Sequence, residues 1–165
     1  MLKTLTITLS LFISFSLLAQ NPYQWQLKQS GSSLGGPVDY LLYNPFIVYY
    51  GSNSIIYKST DMGETFSQTG TSVPGASEIK CILLDDFTPG TFLVAIESSP
   101  DKILKTTDDG LTWTITLNNA SFSYFGIPMT QDPSHPDTIY TMSGSSFYRS
   151  TDFGDTWTVI SSGFG

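Results

Sequence analysis

"RSTDFGDTWTVI", residues 149–160, places a short polar turn before a tryptophan on an apolar run. Each residue has a local task. Asp152 can accept hydrogen bonds from backbone N–H groups of its own turn, as aspartate does in Asx-turns. Gly154 can take a positive φ that side chains resist. Ser150 and Thr156 can tie their hydroxyls to the same backbone. Trp157 then re-enters a strand and buries a large ring, with its indole N–H free to find an acceptor. None of these tasks is a reaction.

The stretch has two relatives upstream, "YKSTDMGETFSQTG" (57–70) and "LKTTDDGLTWTITL" (104–117). All three read Ser or Thr, Thr, Asp, any residue, Gly, any residue, Thr, aromatic. The aspartates Asp61, Asp108 and Asp152 fall 47 and 44 residues apart. The residue after each aspartate (Met62, Asp109, Phe153) differs in chemistry, so this position is expected to face solvent. The positions expected to act structurally are Ser59, Asp61, Gly63, Thr65 and Phe66; Thr106, Asp108, Gly110, Thr112 and Trp113; and Ser150, Asp152, Gly154, Thr156 and Trp157.

The repeat extends beyond the turn. Upstream of each copy lies a proline-marked corner and a strand-like run: "NPFIVYYG" (44–51), "TPGTFLVAIE" (88–97) and "HPDTIYTMSG" (135–144). Before those come "VDYLLY" (38–43), "EIKCILLD" (78–85) and "YFGIPMTQ" (124–131). Ile, Val, Tyr, Phe and Thr dominate, which suits a pleated surface. No window keeps a helical period. A four-stranded unit of about 40–45 residues is the signature of a propeller blade. The chain is therefore expected to be all-β, with blades of four antiparallel strands at 38–70, 78–117 and 124–162. "WQLKQSG" (25–31) matches "WTVISSG" (157–163), so 23–30 is expected to be an outer strand. Trp25, Phe66, Trp113 and Trp157 then form one aromatic series. Three blades make an incomplete ring, since closed propellers use four to eight. Further blades are expected from a longer chain or from other chains, because open sheet edges aggregate.

"MLKTLTITLSLFISFSLLAQ" (1–20) has one early cation, an apolar stretch and a small residue before Gln20. That is the pattern of a secretory signal peptide over 1–19. Its serines and threonines dilute it below a membrane span, and no later segment could cross a bilayer. The remaining 20–165 suits a single domain, secreted or held at the cell surface or in a periplasm. Lys3 leaves with the leader, so 6 of the 7 basic residues face all 14 acidic ones. That balance repels phosphate backbones and argues against nucleic acid. Cys81 stands alone, which excludes an internal disulfide.

The turn pattern resembles the Asp-box, or BNR repeat, of sialidases, sortilin-type receptors and xyloglucanase-like propellers. The resemblance covers nearly all of 20–165. It implies a propeller fold with the boxes away from the usual ligand face, and does not imply an activity. A sialidase needs an arginine cluster for its substrate carboxylate; this chain has only Arg149, and "FGIP" (125–128) carries Gly126 where the family motif has arginine. "GGPVDYLLYNP" (35–45) is similar to the first blade of the xyloglucanase-like hydrolases. There the next loop carries an acid before two glycines, whereas "GSNSIIY" (51–57) has none. An inverting hydrolase needs two carboxylates about 6.5–9.5 Å apart.

The other candidates have plain readings. His135, between Pro133 and Pro136, reads as a surface residue, and no second histidine completes a zinc pair. The Asp-x-Gly turn lacks the ligand set of a calcium loop. Neither metal nor cofactor is expected. Cys81 reads as a core thiol, Asp85–Asp86 as a strand end, and "NAS" (119–121) as a glycan-acceptor sequence. A ligand would meet the loops between second and third strands and between blades, at Asn53, Asp101, Phe122 and Tyr124. The plainer reading, and the preferred one, is that Phe122 and Tyr124 help pack adjacent blades. The reading is a non-catalytic binding module for a carbohydrate or protein ligand. The alternative is a portion of a glycoside hydrolase with its catalytic residues elsewhere.

Overall fold

The computed structural model describes residues 36–122 and 128–163. The expected leader at 1–19, the expected strand at 23–30 and Tyr124 lie outside them. Among the described residues no helix forms, and the chain builds three four-stranded sheets. Sheet 1 holds β1 (Val38–Leu41), β2 (Asn44–Ser52), β3 (Ile55–Ser59) and β4 (Ser67–Thr69). Sheet 2 holds β5 (Glu78–Leu84), β6 (Phe92–Glu97), β7 (Asp101–Thr106) and β8 (Thr114–Ala120). Sheet 3 holds β9 (Met129–Asp132), β10 (His135–Ser143), β11 (Ser146–Ser150) and β12 (Thr158–Ser162). In each sheet the strands lie in chain order and pair antiparallel.

Sheet 2 is sandwiched, and its sequence shows why. In β6, "FLVAIE" is apolar on both faces rather than alternating. Phe92, Val94 and Ile96 join Tyr49, Ile56, Ile79 and Leu84 in the core between sheets 1 and 2. Leu93 and Ala95 join Cys81, Ile103, Met129, Ile139 and Phe153 in the core between sheets 2 and 3. A strand covered on both sides needs no polar face. Burying each Val, Leu, Ile, Phe or Met among them contributes roughly 1.5–3 kcal/mol. β12, by contrast, is exposed throughout.

The junction between sheets 1 and 2 is also tied through backbone. Thr71 N–H donates to the Gly110 carbonyl at 2.8 Å. Gly70 has φ +61°, and a Cβ there would lie 2.3 Å from that carbonyl, so only glycine permits the approach.

Hydrogen bonds sort the connections into two ends. At the corner end, Met62, Asp109 and Phe153 N–H groups donate to the carbonyls of Phe46, Gly90 and Asp137. The acidic turns therefore sit beside the corners between first and second strands. At the loop end, the β2–β3 loop meets the β4–β5 connection (Val73 N–H to Ser54 O) and the start of β5 (Ile79 N–H to Asn53 O). The β10–β11 loop likewise meets the segment after β8 (Gly144 N–H to Ser121 O).

Candidate functional site

The corner end consists of three near-identical turns. The hydroxyls of Ser59, Thr106 and Ser150 accept the N–H of Gly63, Gly110 and Gly154 at 2.8, 2.9 and 2.7 Å. Each hydroxyl donates to the Oδ1 of Asp61, Asp108 or Asp152 at 2.7, 2.8 and 2.7 Å. That same oxygen accepts the N–H of Thr65, Thr112 or Thr156 at 2.9, 2.8 and 2.9 Å. The threonine hydroxyls donate to the second oxygen at 2.6, 2.6 and 2.5 Å. Both oxygens of every carboxylate thus serve their own turn. Hydrogen bonds from Thr65 and Ser59 bring the Asp61 pKa down to about 2. For Asp152, burial pushes upward, but the bonds from Thr156 and Ser150 win and leave it at about 2. Such groups stay ionised at neutral pH and are poor proton donors or bases.

The expectation of solvent exposure after each aspartate holds for Met62 and is corrected at Asp109 and Phe153. Met62, Asp109 and Phe153 all adopt left-handed backbone, with φ of 62°, 60° and 47°. At Asp109 and Phe153 the side chain then meets the preceding sheet. Phe153 is 4% exposed and packs in the core between sheets 2 and 3. Asp109 accepts a hydrogen bond from the Tyr49 hydroxyl and pairs with Lys58 at 2.8 Å, both on sheet 1. Burial, then the bond to Asp109, raises the Tyr49 pKa well above its ordinary value. Met62 belongs to sheet 1, which has no preceding sheet among the described residues, and it is 59% exposed.

The loop end offers a different chemistry. A cavity of about 210 Å³ is lined by Lys80, Glu97, Ser98, Asp101 and Phe122. A second, of about 400 Å³, is lined by Ser121, Phe122, Met142 and Gly144. Phe122 lines both. The structure brings Asp101 and Phe122 together: Asp101 accepts Phe122 N–H at 2.8 Å through one oxygen and Ser98 N–H at 3.0 Å through the other. Asp101 is thus a clamp between the β6–β7 loop and the segment after β8. Asn53 lies apart from these cavities at the junction of sheets 1 and 2, exposed, with φ 52°.

Lys80, Glu78 and Glu97 escaped the sequence reading. In the β5–β6 register Ile79 pairs with Ile96 and Cys81 with Ala95, leaving Lys80 as the extra residue of a β-bulge. A bulge re-aims its side chain. Lys80 Nζ lies 2.6 Å from Glu97 and 3.0 Å from Glu78, and the Glu97 bond is the chief cause of its raised pKa. The signal in the sequence was a lysine interrupting a core strand between two acids that flank the β5–β6 pair.

Elsewhere, Cys81 is buried and burial pushes its thiol up to about 11, which suits packing rather than nucleophilic attack. His135 opens β10 on the surface, 3.1 Å from Asp132. Asp85 caps its own corner through the N–H groups of Phe87 and Thr88, while Asp86 accepts from Leu42 of sheet 1. Among the described residues no three His, Cys, Asp or Glu side chains form a metal-sized group.

No family model matches the chain, and no curated protein matches it by sequence. Solved structures do match. The Niastella koreensis GH74 enzyme superposes with TM-score 0.58 at 22% identity, covering 76% of this chain and 22% of that one. The three sheets are propeller blades. The GH74 xyloglucanase of Xanthomonas campestris matches with TM-score 0.55 at 16% identity, covering 75% and 21%. YCF48 from Cyanidioschyzon merolae gives 0.52 at 17%, covering 75% and 36%; YCF48 bound to D1 peptide gives 0.52 at 17%, covering 78% and 42%. All are β-propeller proteins, and the chain spans between about a fifth and two fifths of their lengths. At these identities the likeness establishes the blade fold.

Proposed function

We propose that this chain is part of an exported Asp-box propeller that binds a carbohydrate or peptide ligand at its loop end and performs no chemistry itself. One observation carries the reading: all three turn aspartates spend both oxygens on their own backbone and hydroxyls. The conspicuous acids therefore act as fasteners, and an identical role in every repeat is what folding requires. The loop-end cavity instead sets a half-buried aromatic, Phe122, beside Lys80, Glu97 and Asp101. Such a mixture suits stacking on a sugar ring or a peptide side chain, with polar groups fixing orientation. The peptide-bound YCF48 structure supports a peptide ligand for a fold of this kind.

A second reading is favoured by the GH74 neighbours: a portion of a glycoside hydrolase whose acid pair lies in blades beyond these three. The full chain should be screened on glycan and peptide arrays alongside an assay of reducing-sugar release. The binding reading expects capture without release, and a loss of about tenfold in affinity for Phe122→Ala, equivalent to about 1.4 kcal/mol. Sugar release overturns it in favour of the hydrolase. Binding unchanged by Phe122→Ala overturns the placement of the site.

A further inference from the structure

The three corners between first and second strands hold the same place in the fold but present different surfaces. In sheets 1 and 2 they carry large apolar side chains at their tips. Leu42, Tyr43 and Phe87 are 59%, 70% and 63% exposed. The Tyr43 and Phe87 rings meet across the junction, with centroids 5.4 Å apart. Leu42 N–H donates to Asp86 at 2.5 Å, which ties the same two corners together. The matching corner of sheet 3 holds exposed Pro133 and Ser134, and Ser134 N–H donates to Asp132 at 2.8 Å. The fold thus builds such a corner without aromatic residues, and an aromatic pair this exposed adds little to the core. A contiguous apolar patch left in water marks an interaction surface.

A further blade does not cover this patch. Blades pack face to face, as the two internal cores show. Tyr43 and Phe87 instead sit at the end of a junction that is already closed. Charge decides what does cover it. Of the 14 acidic residues, all but Glu78, Glu97 and Asp101 lie on or beside the turns and corners of this end. Lys58 and Lys105 are already paired there, with Asp109 and Asp155 at 2.8 Å each. Such a field repels phosphate groups and anionic bilayers and draws in cations. A second copy of this chain brings the same excess of acid, 14 residues against 7 basic ones.

We propose that the corner end of sheets 1 and 2 docks a basic segment of another protein. An apolar side chain of that segment seats on Leu42, Tyr43 and Phe87, and its flanking lysines or arginines meet the surrounding carboxylates. Arginine can also lie flat on an exposed ring. Aromatic anchors ringed by complementary charge carry most of the affinity at interfaces of this kind. The surface lies at the opposite end from the loop-end cavity and is independent of the ligand bound there.

Fluorescence anisotropy of the full chain with short synthetic peptides tests it. One series places leucine or phenylalanine between lysines and arginines; its counterpart places the same residues between glutamates. The basic series should bind, more weakly as salt is raised, and the acidic series should not. The double variant Tyr43→Ser, Phe87→Ser should lose about tenfold or more in affinity. Each single change should lose part of that and serves if the double variant fails to keep the parent's circular dichroism spectrum. Phe122→Ala should leave this binding unchanged. Failure of the basic series to bind, equal binding of the acidic series, or affinity indifferent to the Tyr43 and Phe87 changes overturns the proposal. Basic peptides lost with Phe122→Ala but kept by the double variant overturn it in favour of the loop end. Loss of the loop-end ligand alone leaves it standing.

Discussion

At the junction of sheets 1 and 2 the residue after the turn aspartate is Asp109, bonded to a buried tyrosine hydroxyl and a lysine. At the junction of sheets 2 and 3 the same position is Phe153, sunk among Leu93, Ile103 and Ile139 beneath the Lys105 ammonium. The backbone is left-handed in both, so the two side chains set out from the same geometry. The fold dictates that this position reach the preceding sheet, and leaves open whether it does so by charge or by apolar area. Where the receiving strand offers Tyr49, a carboxylate satisfies the hydroxyl. Where it offers Leu93, a ring fills the space. The lysine serves both in the same way: Lys58 pairs with Asp109 beside the Tyr49 ring, and Lys105 pairs with Asp155 beside the Phe153 ring.

Breaking the apolar junction should have the largest effect. Phe153→Ala removes a buried ring from a packed core and should destabilise the chain by about 3–5 kcal/mol. Urea unfolding followed by tryptophan fluorescence measures the loss. Hydrogen exchange should show β10 and β11 opening before β2 and β3, and the reverse order would contradict the assignment of Phe153 to the second junction.

The polar junction should yield less. Asp109→Ala strands the Tyr49 hydroxyl and leaves Lys58 without its carboxylate, a loss of about 1–3 kcal/mol. Its side chain is 37% exposed, so water recovers part of the interaction. A loss equal to that of Phe153→Ala would show that the ion pair, rather than buried area, dominates both junctions.

The smallest effect is one of pH, and it separates the junctions. Burial and Asp109 raise the Tyr49 pKa above its ordinary value of 10.0. The folded state therefore keeps a proton that the unfolded chain gives up, so this contribution is complete below pH about 10 and declines as pH rises further. The difference in stability between the parent and Tyr49→Phe should shrink above that pH, while the difference between the parent and Phe153→Ala should show no such Tyr49-linked slope.

Much of the architecture was legible because it is written locally. The serine, aspartate, glycine and threonine of each turn contact one another within four residues, so a repeat in sequence is a repeat in geometry. The strands were legible from β-branched and aromatic runs between prolines and glycines. The candidate site was only half legible. Phe122 and Asp101 stood out as loop residues, but Lys80 was hidden inside a strand whose bulge appears only once β5 pairs with β6.

The sequence by itself determined the number of repeats, the order of strands and the chemistry of each turn, because hydrogen bonds spanning two to four residues need no tertiary partner. Only the tertiary structure decided what the variable turn position does. Its partners lie 60 and 51 residues away for Asp109, across a junction that no local pattern encodes. Whether a side chain at that point meets water, a hydroxyl or a hydrocarbon core depends on which sheet packs beside it.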